Sequence, residues 1–114
     1  MTNTDTDVIV GIDTHADTHH VALITEYGKH IADKKFLAVG SGYREIAQYI
    51  TSHGAVTAVG IEGTGSYGAE LARVLAADGF QIREINRPDR AHRRLHGKSD
   101  PLDAYQAAEA VLAG

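Results

Sequence analysis

The chain has 114 residues, a formal net charge of -4 and no cysteine. Its length suits one domain with a single core, and a composition of 43% hydrophobic and 23% charged residues is that of a folded globular protein. The lack of cysteine excludes disulfides and thiolate metal sites. The polar N-terminus and the absence of a long apolar run exclude a signal peptide and a membrane span, so we expect a cytoplasmic protein without membrane contact.

The first half of the chain predicts three antiparallel strands followed by a helix. Residues 8–13 form a continuous apolar run that ends on a charge, which is typical of a strand buried on both faces. Strands over residues 20–25 and about 30–36 follow, joined by a hairpin turn at Tyr27-Gly28-Lys29. Apolar side chains then recur at helical spacing over residues 43–50.

The second half predicts strands and helices in alternation. A strand over residues 57–62, a glycine turn, a helix over about 67–77 and a strand over 80–85 lead into a basic segment, and an alanine-rich pattern predicts a last helix over 101–112. The order βββαβαβα is that of an α/β, ribonuclease-H-like fold, a mixed five-stranded sheet flanked by helices.

Four carboxylates are candidate site residues. In such a sheet the first and fourth strands are neighbours, and they end on Asp13 and Glu62. Asp100 and Asp103 are three residues apart at the start of the last helix and share a helical face, although helix capping alone also accounts for this pair. Four crowded carboxylates would repel one another, which implies bound cations, and oxygen ligands favour Mg²⁺ or Mn²⁺. Two such ions can promote phosphodiester chemistry.

The basic residues are concentrated in one segment. Six of the 11 Lys and Arg residues lie between positions 83 and 98, immediately before the acidic pair. Either this segment is a solvated surface, or it binds the phosphates of nucleic acid, and its position favours the second interpretation. The candidate nucleic-acid-binding residues are Arg87, Arg90, Arg93, Arg94 and Lys98.

Three sequence blocks resemble the N-terminal domain of a family of bacterial insertion-sequence transposases. They are residues 9–13, residues 59–67, and residues 86–90 followed by 97–103. The catalytic domain of that family is similar to the Holliday-junction resolvase RuvC and carries Asp-Glu-Asp-Asp acids, and its members are guided by a bridge RNA. The resemblance implies catalytic and metal-binding roles for Asp13, Glu62, Asp100 and Asp103, with DNA and guide RNA as partners and Mg²⁺ or Mn²⁺, two ions, as cofactor.

Family members also carry a C-terminal domain with a serine that attacks DNA. The resemblance therefore implies that residues 1–114 are a single RuvC-like domain, the truncated N-terminal part of a longer protein. We expect the fragment to be inactive in recombination without the serine-containing domain. The resemblance further implies a homo-oligomer, in which this acidic site is paired with the serine of another subunit.

Other interpretations stay open at this stage. Gly63, Gly65 and Gly68 form a G-x-G-x-x-G pattern between a strand and a helix, which is typical of dinucleotide binding, although Glu62 and the hairpin-first order disfavour it. The alanine-rich helices would also suit a non-catalytic module for assembly or nucleic-acid binding. Tyr67 and Tyr105 could stack on bases, but helical positions beside small residues favour the core or an interface.

Overall fold

The computed structural model describes residues 7–86 and 100–114, with the side chain of Asp100 excepted. The order βββαβαβα predicted from the sequence is confirmed in this part of the chain. The elements are β1 (Asp7–Thr14), β2 (Thr18–Thr25), β3 (His30–Leu37), α1 (Gly40–Thr51), β4 (Ala55–Glu62), α2 (Ala69–Ala77), β5 (Ile82–Ile85) and α3 (Asp100–Ala113). None of the described helices is long and apolar enough to span a membrane.

The five strands form one mixed sheet in the order β3-β2-β1-β4-β5. β1 pairs antiparallel with β2, and β2 pairs antiparallel with β3, as the hairpin turn predicts. β1 pairs in parallel with β4, and β4 in parallel with β5. The carboxyl ends of β1 and β4 therefore lie at the same end of the sheet, together with the beginning of β2 and the end of β3.

The main hydrophobic core lies between the sheet and the helices α1 and α2. Alternate residues of the central strands point into it, because successive side chains of a strand face opposite sides. The core-facing side chains include Val8, Val10 and Ile12 of β1, Val21 and Leu23 of β2, Val59 and Ile61 of β4, Ile46 and Ile50 of α1, and Leu71 and Leu75 of α2. The opposite face of the sheet is covered by α3 over a smaller cluster.

α3 packs directly on the backbones of β1 and β4. A Cβ atom added at Gly11 would lie 2.2 Å from the backbone oxygen of Ala104 and 2.2 Å from the backbone nitrogen of Ala108. A Cβ atom added at Gly60 would lie 2.4 Å from Cγ2 of Val111. The small side chains of α3 are thus buried against the sheet of the same chain, so this face of the helix is not available to a second subunit.

His19 is a buried polar residue within the main core. Its side chain is fully buried and stacks on Tyr43 of α1, with ring centroids 5.9 Å apart and planes 11° from parallel. Within the described residues, neither ring nitrogen makes a hydrogen bond of normal geometry. Burial lowers the pKa of His19; the Thr18 backbone opposes this effect, and the charge of His15 adds to it. The neutral imidazole is therefore the form that the fold accommodates.

Replacing Gly11 tests the close packing of α3. We expect Gly11→Ala to lower the free energy of unfolding by about 3 kcal/mol, because the new methyl group would overlap backbone atoms that cannot rotate away. Gly40→Ala is the control, since a Cβ atom there meets no atom within 4 Å. Urea unfolding of both variants gives the measurement, and equal stability of the two would contradict the packing described here.

The burial of His19 predicts a loss of stability in mild acid. Below the ordinary histidine pKa of about 6.5 the unfolded chain takes up a proton that the folded chain resists, so stability falls as the pH decreases from about 7 to 5. His19→Phe, which keeps a ring for stacking on Tyr43, should flatten this part of the pH profile. Thermal unfolding at several pH values measures the slope, and an unchanged slope in the variant would refute the assignment.

Candidate functional site

Asp13 and Glu62 lie side by side at the ends of two parallel strands. The register pairs Ile12 of β1 with Ile61 of β4, so the next residue on each strand is the carboxylate. Gly11 and Gly60, two positions earlier, face α3, and strand alternation turns Asp13 and Glu62 to the same face. Both residues are buried: Asp13 is fully buried, and Glu62 is 1% exposed. The expected meeting of these two acids at one sheet edge is therefore observed.

α3 carries Asp103 to the same end of the sheet. Ala107 lies over Gly60, and Asp103 lies one helical turn before Ala107, a step of about 5.4 Å. Glu62 lies two strand residues beyond Gly60 in the same direction, a step of about 6.6 Å. The Asp103 side chain is fully buried, which an exposed helix-capping carboxylate would not be. We call this group, Asp13, Glu62 and Asp103, the acidic edge.

Asp100 begins α3, one turn before Ala104, which packs on Gly11. By the same reasoning its helical position is on the side of Asp13, but its side chain lies outside the described residues. As the described side chains stand, no three of the His, Asp and Glu residues converge closely enough to hold a metal ion. The donor chemistry of the acidic edge nevertheless suits Mg²⁺ or Mn²⁺, because every member supplies carboxylate oxygen.

His15 and Thr14 make contacts within the ends of β1 and β4. Nε2 of His15 lies 2.9 Å from Oδ2 of Asp13, and the His15 side chain is 32% exposed. The hydroxyl of Thr14 donates a hydrogen bond of 2.7 Å to the backbone oxygen of Glu62, which ties the end of β1 to the end of β4. These contacts hold both strand ends in place, and His15 is the partly exposed residue beside the buried Asp13.

A polar network on the hairpin of β2 and β3 holds α3 from the side. Asp33 of β3 accepts a hydrogen bond of 2.6 Å from Nε2 of His20 and one of 3.1 Å from the Tyr105 hydroxyl. The ring of Tyr105 also stacks on His30, with centroids 3.8 Å apart. Burial, the hydrogen bond to Asp33 and the charge of Asp33 raise the pKa of Tyr105 to about 12. Tyr105 is thus a structural contact two residues after Asp103.

The side chains of the two adjacent histidines of β2 point to opposite faces of the sheet, as strand alternation predicts. His19 faces the core under α1, whereas His20 pairs with Asp33 on the α3 side and is the cross-strand neighbour of Asp13. Sequence reasoning missed the roles of Asp33, His20 and Tyr105. The signal for them is the hairpin register, which pairs Asp33 with Ala22 and so places it diagonally beside His20.

The glycine pattern after β4 forms a turn that closes on itself. The backbone N–H groups of Ser66 and Gly68 both donate to the backbone oxygen of Gly63, at 2.9 and 2.8 Å. Gly63 has a φ of 80°, a conformation that glycine adopts without strain. Because these N–H groups are already bonded within the turn, they are not available to a pyrophosphate. The geometry therefore disfavours the dinucleotide-binding interpretation.

The five candidate nucleic-acid-binding residues, Arg87, Arg90, Arg93, Arg94 and Lys98, lie outside the described residues. The described flanks show how the chain enters and leaves the segment that carries them. β5 ends at Ile85, which pairs with Glu62, and α3 begins at Asp100. Both flanks are therefore at the end of the sheet that bears the acidic edge.

A mixed sheet that opens with a hairpin, has helices on both faces and bears buried carboxylates at the ends of β1 and β4 defines an α/β domain of the ribonuclease-H-like type. A protein-family model described as "Transposase", the DEDD transposase family of IS110 type, matches residues 10–114. The chain belongs to this family. The resemblance seen in the three sequence blocks is thereby confirmed.

One solved structure shares the fold at low sequence identity, and two others align more weakly. A ROK family transcriptional regulator, a homolog of the E. coli MLC protein, aligns over 75% of this chain and 29% of its own with a TM-score of 0.53 and 14% identity. The ethanolamine utilization protein EutJ from Carboxydothermus hydrogenoformans gives a TM-score of 0.46 at 17% identity, over 77% of this chain and 40% of its own. The Thermoplasma acidophilum Pelota protein gives 0.45 at 17% identity, over 88% and 35%.

The likeness to the ROK family regulator concerns the fold alone. The chain spans between 29% and 40% of the length of the three structures. Comparison with curated protein sequences gave no match.

The contact between Tyr105 and Asp33 predicts a measurable coupling. We expect Tyr105→Phe to lower the free energy of unfolding by about 1 kcal/mol, because it removes a hydrogen bond to a carboxylate at a partly exposed position. A double-mutant cycle with Asp33→Asn isolates the pairwise contribution. Tyr27→Phe is the matched control, since Tyr27 is 87% exposed. Additive effects of the two substitutions would show that the hydrogen bond contributes nothing.

Proposed function

We propose that this domain is the catalytic domain of a DNA transposase or recombinase that acts on DNA phosphodiesters with divalent metal ions. The observation that carries the proposal is the burial of Asp13, Glu62 and Asp103 from three different elements at one end of the sheet. Membership of the transposase family supports the reaction class. The same comparison supports DNA as the substrate.

In this proposal Asp13 and Glu62 hold metal from the strand ends, and Asp103 and Asp100 complete the site from α3. A bound pair of Mg²⁺ or Mn²⁺ ions would supply charge stabilisation to the attacking and leaving oxygens of a phosphodiester. The hydrogen bond from the Thr14 hydroxyl to the Glu62 backbone oxygen holds together the two strand ends that carry these carboxylates. Burial of the three side chains limits the number of waters that compete for their oxygen atoms.

The proposed partners follow from the family and the charge pattern. Arg87, Arg90, Arg93, Arg94 and Lys98 would contact phosphates of DNA or of a guide RNA, in a manner sensitive to salt. We further propose that residues 1–114 are one domain of a longer protein that acts as a homo-oligomer. Recombination would then need the serine-containing domain, and binding of metal and nucleic acid would be the properties measurable on this chain alone.

Metal binding is tested by the thermal stability of the chain. We expect Mg²⁺ or Mn²⁺ to stabilise the fold by about 2.7 kcal/mol at 100 times the Kd, because ions that bind only the folded acidic edge favour that state. The melting temperature should rise by several degrees. Isothermal titration calorimetry with Mn²⁺ gives an independent affinity.

Neutralising one carboxylate of the acidic edge should remove the stabilisation by metal. Glu62→Gln is expected to abolish the stabilisation by metal and to raise the stability of the metal-free chain, because it removes one of the like charges on the α3 face. Glu84→Gln is the matched control, since Glu84 is an exposed carboxylate on the neighbouring strand β5. A metal response that survives Glu62→Gln, or a wild-type melting curve unchanged at millimolar metal, would contradict the proposal.

A further inference from the structure

Tyr67 is an exposed aromatic residue beside the acidic edge. It lies in the turn between β4 and α2, five positions after Glu62, and its side chain is 57% exposed. Among the described residues its ring makes no stacking contact and its hydroxyl no hydrogen bond, whereas Tyr105 is held by Asp33 and His30. The sequence favoured a core or interface position for both tyrosines, and for Tyr67 the exposed side chain shows that the core position is wrong.

The turn that carries Tyr67 is well fixed on both sides. The backbone oxygen of Gly63 accepts hydrogen bonds from Ser66 and Gly68, the residues that flank Tyr67. Gly68 is buried, and a Cβ atom added there would meet Gly63, Ile61 and Thr14 at 3.0 to 3.1 Å. An exposed aromatic ring is therefore presented from a restrained backbone, so a ligand that stacks on it would order little more than the side chain.

Further apolar side chains surround the same end of the molecule. Leu37 ends β3, pairs with Thr18 and is 63% exposed, and Leu102, in the first turn of α3, is 47% exposed. Val39, just before α1, is 49% exposed. The described residues thus place exposed apolar side chains at the same end of the sheet as the buried carboxylates. Once bound cations offset the carboxylate charges, this combination suits a ligand with a phosphate backbone and flat bases.

We propose that Tyr67 stacks on an unpaired base of the DNA strand whose phosphodiester lies at the acidic edge. This inference rests on the proposed function. A nucleotide whose phosphate is held at the acidic edge through bound cations would have the adjoining turn beside it, and an aromatic ring accepts any base because every base has a π-face. A paired and stacked base offers no free face, so the proposal specifies single-stranded or locally unpaired DNA.

The experiment separates base contacts from phosphate contacts. Fluorescence anisotropy measures the affinity of the chain, with Mg²⁺ present, for a single-stranded DNA of about 12 nucleotides and for the same strand with abasic central positions. We expect Tyr67→Ala to weaken binding of the intact strand by at least about fivefold and to leave binding of the abasic strand unchanged. Tyr67→Phe should restore the affinity for the intact strand.

Tyr27→Ala is the matched control, because Tyr27 is 87% exposed in the β2–β3 turn at the opposite end of the sheet. If wild type binds DNA but Tyr67→Ala binds both strands as wild type does, this inference is wrong and the proposed function is untouched. If wild type binds neither metal nor DNA, both are wrong. A change in oligomeric state of Tyr67→Ala without DNA, with its base preference intact, would assign Tyr67 to a protein interface instead.

Discussion

The close approach of α3 to the backbones of β1 and β4 is the constraint on which the candidate site depends. Gly11 and Gly60 leave no side chain between helix and sheet, so the helix backbone comes within contact of the strands. The position of Asp103 along α3 is then fixed relative to Asp13 and Glu62, which lie two residues beyond those glycines. A larger residue at Gly11 or Gly60 would lift the helix and move Asp103 away from the strand ends.

The two faces of the sheet are built in different ways. The face under α1 and α2 is a thick apolar core, whereas the face under α3 combines a small apolar cluster with carboxylates and a polar network. Asp33 binds both His20 and Tyr105, so the hairpin of β2 and β3 holds α3 from the side. Gly11 and Gly60 set the distance between α3 and the sheet. The apolar core on the first face is therefore the larger source of stability, and the candidate site lies on the second face.

The end of the sheet that bears the acidic edge carries several candidate functional features. Carboxylates are buried at the ends of β1 and β4, the partly exposed His15 contacts Asp13, and Tyr67 is exposed on the adjoining turn. Both flanks of the basic segment lie at this end as well. The hairpin-first order of the sheet explains the grouping, because it makes β1 and β4 parallel neighbours whose carboxyl ends coincide.

The sequence by itself determined the element order, the mixed sheet and the acids at the ends of β1 and β4. Those predictions succeed because apolar periodicity, turn residues and charged strand ends are local properties of the chain. The tertiary structure alone decided that Asp103 is buried, that Asp33 joins His20 to Tyr105, and that Tyr67 is exposed while Tyr105 is held. Each of these depends on which residues distant in sequence pack together, and the local sequence pattern around an Asp or a Tyr is the same whichever partners it meets.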